Sequence, residues 1–303
     1  MTDTTVKICD ITCSNPVMPA AGTVEFGYQH SGFYDINRLG SLVTSGVTMK
    51  PERREMRHYV DKISGDYIRQ DISLNPGVYR VQEEELPRLK EVCKKRVFAS
   101  VCGKTVEEFV KVAEILDRSD AVGILELDLS CRNHDNSGIR FGQNATSLFK
   151  AVNEVKYRVR KPVFAKLCPV VTNIRDMAKA AQDGGAEGVV VSGSYFGAAV
   201  DLKTRKRVFD GDGIFTGAAL KPAVVHNVFE VFDAVGICIV SCGGVATAAD
   251  ALEMMFAGAS LVQVDEAVMR NPLACLEIID ALPALAESLG FTRIKDAIGA
   301  AHG

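Results

Sequence analysis

The sequence predicts an α/β protein of the (β/α)8 TIM-barrel class. Three observations carry that prediction. Short apolar, β-branched runs recur along the chain, each followed by a stretch of helical periodicity, the pattern of βα units closing a parallel sheet. The length of 303 residues holds one barrel of roughly 250 residues with appendages, as well as two smaller domains. The residues just past the runs are small or polar, as expected where barrel strands end at the working face.

The predicted strands are residues 17–20, 42–46, 97–101, 124–129, 163–167, 188–192, 238–241 and 261–264, eight in all. Helical periodicity marks 82–95, 106–116, 146–158, 174–184, 218–234 and 248–257, most of them ending near glycine or a basic residue. Two inserts break the rhythm, 48–79 and 132–144. Loops of that length in a compact domain are often lids or binding loops. The reading is therefore one domain over 1–303, with an N-terminal extension and lid-bearing insertions.

Composition narrows the function classes. Lys and Arg number 35 against 38 Asp and Glu, a net charge of −3 with no basic block to track a phosphate backbone, which argues against a nucleic-acid partner. The uncharged stretch 234–249 is shorter than the roughly 20 apolar residues of a membrane span and is broken by glycines. Residues 1–10 contain no apolar signal-peptide region, so the expectation is a cytoplasmic protein. Nine scattered cysteines without a CxxC pair argue for reduced thiols, most of them packed as small apolar side chains, and against structural zinc.

Three strand-end features could carry chemistry. Cys131 lies in Leu125-Glu-Leu-Asp-Leu-Ser-Cys-Arg-Asn133, where a thiol beside a cation could move a proton or attack an electrophile, or could simply be packed. Lys166 ends the run Val163-Phe-Ala-Lys-Leu167; in a barrel mouth it calls for a phosphate, a carboxylate or an electron-rich ring, unless a neighbouring carboxylate pairs with it. Ser241-Cys-Gly-Gly-Val245 follows the seventh predicted strand, where paired glycines let backbone N–H groups approach a phosphate or merely close a turn.

Asn15-Pro-Val-Met-Pro-Ala-Ala-Gly22, Leu74-Asn-Pro-Gly77, Leu129-Ser-Cys-Arg-Asn133, Gly138-Ile-Arg-Phe-Gly142, Ala165-Lys-Leu-Cys-Pro169, Asp201-Leu-Lys-Thr-Arg-Lys206 and Ala257-Gly-Ala259 occur in this order. With them the chain resembles, over essentially its whole length, the family-1 dihydroorotate dehydrogenases, in particular the catalytic subunit of the NAD-linked two-subunit branch. The resemblance implies FMN at the mouth of the barrel. It implies hydride transfer from C6 of dihydroorotate to flavin N5, with Cys131 as the base that removes the C5 proton. Cofactor positions fall on Ala21, Gly22, Ser45, Gly46, Ser100, Asp128, Lys166, Ser192, Gly217, Gly243, Gly244, Asp265 and Glu266, and substrate positions on Arg69, Asn133, Gly193 and Ser194. It also implies a homodimer or heterotetramer with a partner carrying FAD and an iron–sulfur cluster, for which this chain has no cysteine spacing of its own.

The chain departs from the family pattern at the site. Ser45 stands for a lysine, and Arg69, Asp128 and Gly193 for three of four asparagines, leaving Asn133. Arg132 stands for a proline, Ser100 for an asparagine, and Asp265-Glu266 for Gly-Thr at the phosphate corner. A carboxylate repels a phosphate unless it turns to solvent, caps the following helix or meets a cation. Arg69 and Arg132 would suit a carboxylated or phosphorylated ligand, or would pair internally with Asp71 and Asp128. Three readings follow: a dihydroorotate dehydrogenase, a diverged flavin enzyme for another small anion, and a flavin-free barrel lyase or binding protein.

Overall fold

The computed structural model of the chain describes residues 2–53, 57–60, 67–70, 74–134, 138–208 and 213–303. Among them, seven parallel strands form the barrel wall: β1 (Val17–Pro19), β2 (Val97–Val101), β3 (Val122–Asp128), β4 (Val163–Lys166), β5 (Gly188–Val191), β6 (Cys238–Cys242) and β7 (Leu261–Val264). Their order is β1-β7-β6-β5-β4-β3-β2, so consecutive strands from β2 to β7 are neighbours, β1 pairs with β7, and the sheet curls round on itself. These strands are buried along almost their whole length, which is why they read in sequence as largely apolar runs, interrupted at Ser100, Glu126, Lys166, Ser241 and Gln263.

The eighth stave is irregular where the sequence predicts a strand at 42–46. It touches β2 only through isolated parallel bridges, Val43 to Phe98 and Val47 to Val101. The Thr44 hydroxyl accepts from Ser100 N (3.1 Å) and donates to the Ser45 carbonyl (3.0 Å), so a side chain takes the place of a ladder bond. The ring still closes, because Gly40 N donates to Val17 O on β1 and Phe98 N on β2 donates to Leu42 O.

Helices pack outside the wall: α1 (Leu86–Val92), α2 (Val106–Asp117), α3 (Ala145–Arg158), α4 (Ile174–Asp183), α5 (Lys221–Phe232), α6 (Ala248–Phe256), α7 (Glu266–Arg270) and α8 (Ala274–Ser288). Thr105, Asn144, Asn173 and Thr247 cap α2, α3, α4 and α6 with their side chains, each such cap contributing about 1 kcal/mol. The stretch predicted at 82–95 begins earlier and ends earlier, as Val78–Arg80, a π-turn Val81–Glu85 and α1. A helix the sequence analysis does not anticipate, α8, packs on α6 and β1. The N-terminal extension forms an antiparallel hairpin, Val6–Ile8 with Ile11–Cys13, and Ile11 lies against Gly123 at the start of β3, closing the floor.

Both inserts acquire structure. Strands Arg57–Val60 and Tyr67–Gln70 of the first join Gly213–Thr216 and Tyr195–Gly197 in a separate four-stranded antiparallel sheet. Inside the barrel the side chains stack in layers, as alternation along each strand requires. Phe98 and Phe164 meet edge-on at the bottom (5.6 Å between centroids), and Gly188 leaves room for the Phe164 ring. One step up the same faces come Ser100 and Lys166. Among the described residues, no helix is long and apolar enough to cross a membrane.

Candidate active site

The C-terminal mouth of the barrel opens into a cavity of about 700 Å³, within the range of small-molecule and cofactor sites. Its floor is ionic. Lys166 Nζ donates to Glu126 Oε1 (3.2 Å) and to Gln263 Oε1 (3.1 Å), and Gln263 Nε2 donates to Glu126 Oε2 (2.6 Å). Glu126 is fully buried, so β3, β4 and β7 together supply a closed network of charge and hydrogen bonds. Burial by itself would lower the Lys166 pKa, but nearby Cys242, Glu126 and Asp128 outweigh it and hold the ammonium above the ordinary lysine range. Burial pushes the Cys242 thiol up to about 11 against the pull of Lys166, so it stays protonated at neutral pH. Lys166 thus meets both alternatives of the sequence reading: it pairs with a carboxylate and also lines the cavity.

Cys131 sits on the rim. Asp128 ends β3, and its Oδ1 accepts from Ser130 N (2.9 Å) while its carbonyl accepts from Cys131 N (3.3 Å), a local turn that brings the thiol to the cavity wall. The half-buried Cys131 Sγ, the Cys102 Sγ and a carboxylate oxygen of Asp128 all lie within 4.8 Å of one another. Arg140 reaches under this turn: its Nη1 donates to the Ser130 carbonyl and its guanidinium lies 3.8 Å from the centroid of the Phe196 ring. Five of the cysteines (13, 93, 168, 242 and 275) are buried, as expected of packed thiols.

The structure brings most of the predicted positions together. Ala21, Gly22, Gly46, Ser100, Asp128, Cys131 and Lys166 line the cavity from the staves up to β4, and Ser192, Gly193, Ser194, Gly243 and Asp265 line it from the remainder. Others sit elsewhere. Ser45 is buried and does not line the cavity, its N–H donating to Glu25 O (2.7 Å). Asn133 is buried and holds the second insert by its backbone, N to Ile139 O and O from Gly138 N (both 2.9 Å). Gly217 precedes a short turn at Ala218–Leu220, and Gly244 lies against the Lys221 backbone. The Arg69 backbone pairs with Ile214; its side chain, and the anticipated partner Asp71, lie outside the described residues.

The altered corner separates into two cases. Glu266 turns to Arg270 one turn along α7, whereas Asp265 stays at the cavity, accepts from Thr216 Oγ1 (2.9 Å) and makes no side-chain cap of α7. Gly193, where the family has an asparagine, has no room for more: a Cβ there would fall on Ser130 Oγ and 3.1 Å from Leu167 O. Ser130 lines the cavity, and its hydroxyl is buried without a hydrogen-bond partner among the described residues.

Sequence reasoning missed part of the wall. Tyr195, Phe196 and Phe215, from the antiparallel sheet, cover one side with aromatic rings, and Arg140, His134, Lys104 and Glu52 complete the rim, the last two paired at 2.6 Å. Asn227 Nδ2 donates to Tyr195 Oη (2.9 Å), and burial raises that phenol above its ordinary pKa. The available signal was the length of the segment between the sixth and seventh predicted strands, too long for an ordinary βα connection.

Comparison with known proteins agrees with this architecture. The model of the dihydroorotate dehydrogenase family matches residues 3–286. The chain is 37% identical over 295 residues to the dihydroorotate dehydrogenase B (NAD(+)) catalytic subunit of Geobacillus kaustophilus, covering 97% of this chain and 94% of that one. The subunit of the same name from Halalkalibacterium halodurans is 36% identical over 295 residues (97% and 96%), and that of Bacillus cytotoxicus 37% over 298 residues (97% and 95%).

Proposed function

The chain belongs to the dihydroorotate dehydrogenase family, and from that premise we propose that it is an FMN-dependent, cytoplasmic oxidoreductase that oxidises dihydroorotate or a closely related small anion. The observation that carries the proposal is the placement of the Cys131 thiol on the rim of a cavity of about 700 Å³ whose floor is Lys166. A base above a buried cation is the arrangement that a coupled proton and hydride removal needs.

The cavity suits the cofactor. Gly243 (φ +106°) presents bare backbone, with only Val224 Cγ2 (3.6 Å) near a hypothetical Cβ, and the unpartnered Ser130 hydroxyl points to a polar ligand. Ala21, Gly22, Gly46, Ser100, Lys166 and Ser192 would hold the ring side, and the Gly243 backbone the phosphate, with Asp265 restrained by Thr216. Bound there, FMN supplies the hydride acceptor.

The chain's own residues do the rest. Cys131, as thiolate, accepts the proton from the carbon next to the one that loses hydride. Lys166, kept charged by Glu126, fixes positive charge under the reacting centre without reorganisation. Ser194 and Gly193, with Arg132 and Arg140 on the wall, meet the substrate carboxylate and amides, while Asn133 shapes the insert that carries Arg140. The aromatic side formed by Tyr195, Phe196 and Phe215 excludes water. A partner subunit carrying FAD and an iron–sulfur cluster, in a heterotetramer, would accept the electrons.

A second reading, a different carboxylated substrate, is favoured by one observation: Asp128 and the filled space beside Gly193 present a carboxylate and no room where neutral amides would meet a pyrimidine imide. FMN added to purified protein and retained through gel filtration supports the flavin enzyme. Failure to retain it overturns both readings in favour of the flavin-free barrel.

A further inference from the structure

Two adjacent strand ends bring a second thiol to the base. Cys102 directly follows β2, and Asp128 and Cys131 lie at and just past the end of β3; the two strands pair in parallel register, Val101 beside Leu127. Gly46 makes the approach possible, because a Cβ there would lie 2.7 Å from the Cys102 Sγ. Both sulfurs and an Asp128 oxygen fall within 4.8 Å of one another, all three residues are half-buried, and all line the cavity. Asp128 is held in place by the Ser130 N–H at 2.9 Å.

We propose that Cys102, Cys131 and Asp128 form a binding site for a thiophilic divalent cation of the zinc class at the mouth of the barrel. Tetrahedral zinc places sulfur at about 2.3 Å and carboxylate oxygen at about 2.0–2.2 Å, hence ligand atoms roughly 3.5–3.8 Å apart. The present upper limit of 4.8 Å between ligand atoms lies about 1 Å above that spacing. Two soft thiolates with one carboxylate select zinc or cobalt over magnesium or calcium. Three protein ligands leave the fourth position open to the cavity, for water or a substrate carboxylate. The Ser130 N–H supplies an outer hydrogen bond that orients the carboxylate ligand. Binding displaces the thiol protons to solvent and ties up the Cys131 lone pair. That consequence for turnover rests on Cys131 being the base, but the site itself rests on geometry alone.

The test uses the full chain, reduced and freed of reductant under anaerobic conditions, then equilibrated with Zn²⁺ against a competing chelator and assayed for bound metal. Co²⁺ loading gives a thiolate-to-metal absorption band as a second readout. The expected result is one equivalent of tightly held metal, with affinity falling tenfold or more, about 1.4 kcal/mol, in Cys102→Ser and in Cys131→Ser, less steeply in Asp128→Asn, and not at all in the remote Cys9→Ser. Circular-dichroism melting establishes that each variant is folded. Metal binding that survives both serine variants, or wild-type affinity no greater than that of Cys102→Ser, overturns the proposal. Neither readout depends on turnover, so failure here is distinct from failure of the dehydrogenase reading.

Discussion

Replacing Lys166 with methionine removes the cation from a fully buried carboxylate, and the structure sets the size of the effect. Glu126 would keep only the Gln263 amide (2.6 Å) and lose its charge partner at 3.2 Å. Breaking one side of such a buried pair costs about 3–5 kcal/mol. The pH dependence follows from linkage. In wild type the Lys166 pKa is raised, so its contribution is complete below the ordinary lysine range and is lost only as pH rises through the folded-state value, far on the alkaline side. In Lys166→Met the Glu126 carboxylate would be buried without a counter-charge, and burial disfavours its charged form. The variant's deficit therefore grows as pH climbs above the ordinary carboxylate range and shrinks toward pH 5. Urea unfolding from pH 5 to 8 measures both, and the double variant Lys166→Met/Glu126→Gln should recover more than half the loss, because no buried charge remains. A deficit below about 1 kcal/mol, or one independent of pH, would refute the reasoning.

Further expectations concern the site. Cys131→Ser should slow anaerobic flavin reduction by about 10²–10⁴-fold at neutral pH, as measured by stopped-flow absorbance, and an unchanged rate would remove Cys131 as base. Gly193→Asn, which restores the family's amide, should lower stability by about 1–3 kcal/mol because its Cβ falls on Ser130 Oγ; Ser130→Ala in the same chain should relieve much of that, and equal melting temperatures for Gly193→Asn and wild type would contradict the packing argument. Asp265→Gly removes the carboxylate at the phosphate corner and should tighten FMN about tenfold by fluorescence titration, with weaker binding telling against a phosphate there. Arg140→Ala should raise KM for an anionic substrate more than it lowers kcat, a split visible in steady-state kinetics.

The barrel was legible because its strands are buried on both faces and so read as short, largely apolar, β-branched runs, β5 being the plainest. The stave at 42–47 was over-regularised because a sequence does not disclose that the Thr44 hydroxyl will take a ladder position. The antiparallel sheet escaped because its strands come from segments well over a hundred residues apart, Tyr67–Gln70 pairing with Gly213–Thr216, and local periodicity says nothing about such pairing. α8 escaped because it has no side-chain cap and carries Pro283 within an apolar sequence. At the site, strand-end logic found Cys131, Lys166, Asp128 and the Gly193 and Gly243 walls, since position in the fold decides them. It missed Arg140, Phe196 and Cys102. Arg140 arrives on the second insert and Phe196 on the long segment between the sixth and seventh predicted strands, and a cysteine after an apolar run is indistinguishable in sequence from a packed one.

The central claim is that this barrel mouth couples proton removal to flavin reduction. The most direct test is the visible spectrum of the FMN-loaded protein on anaerobic addition of dihydroorotate, followed by a panel of small carboxylates. The account predicts loss of the oxidised-flavin band with one of these anions, at a rate that depends on Cys131. A band that persists with every anion at saturating concentration would contradict it.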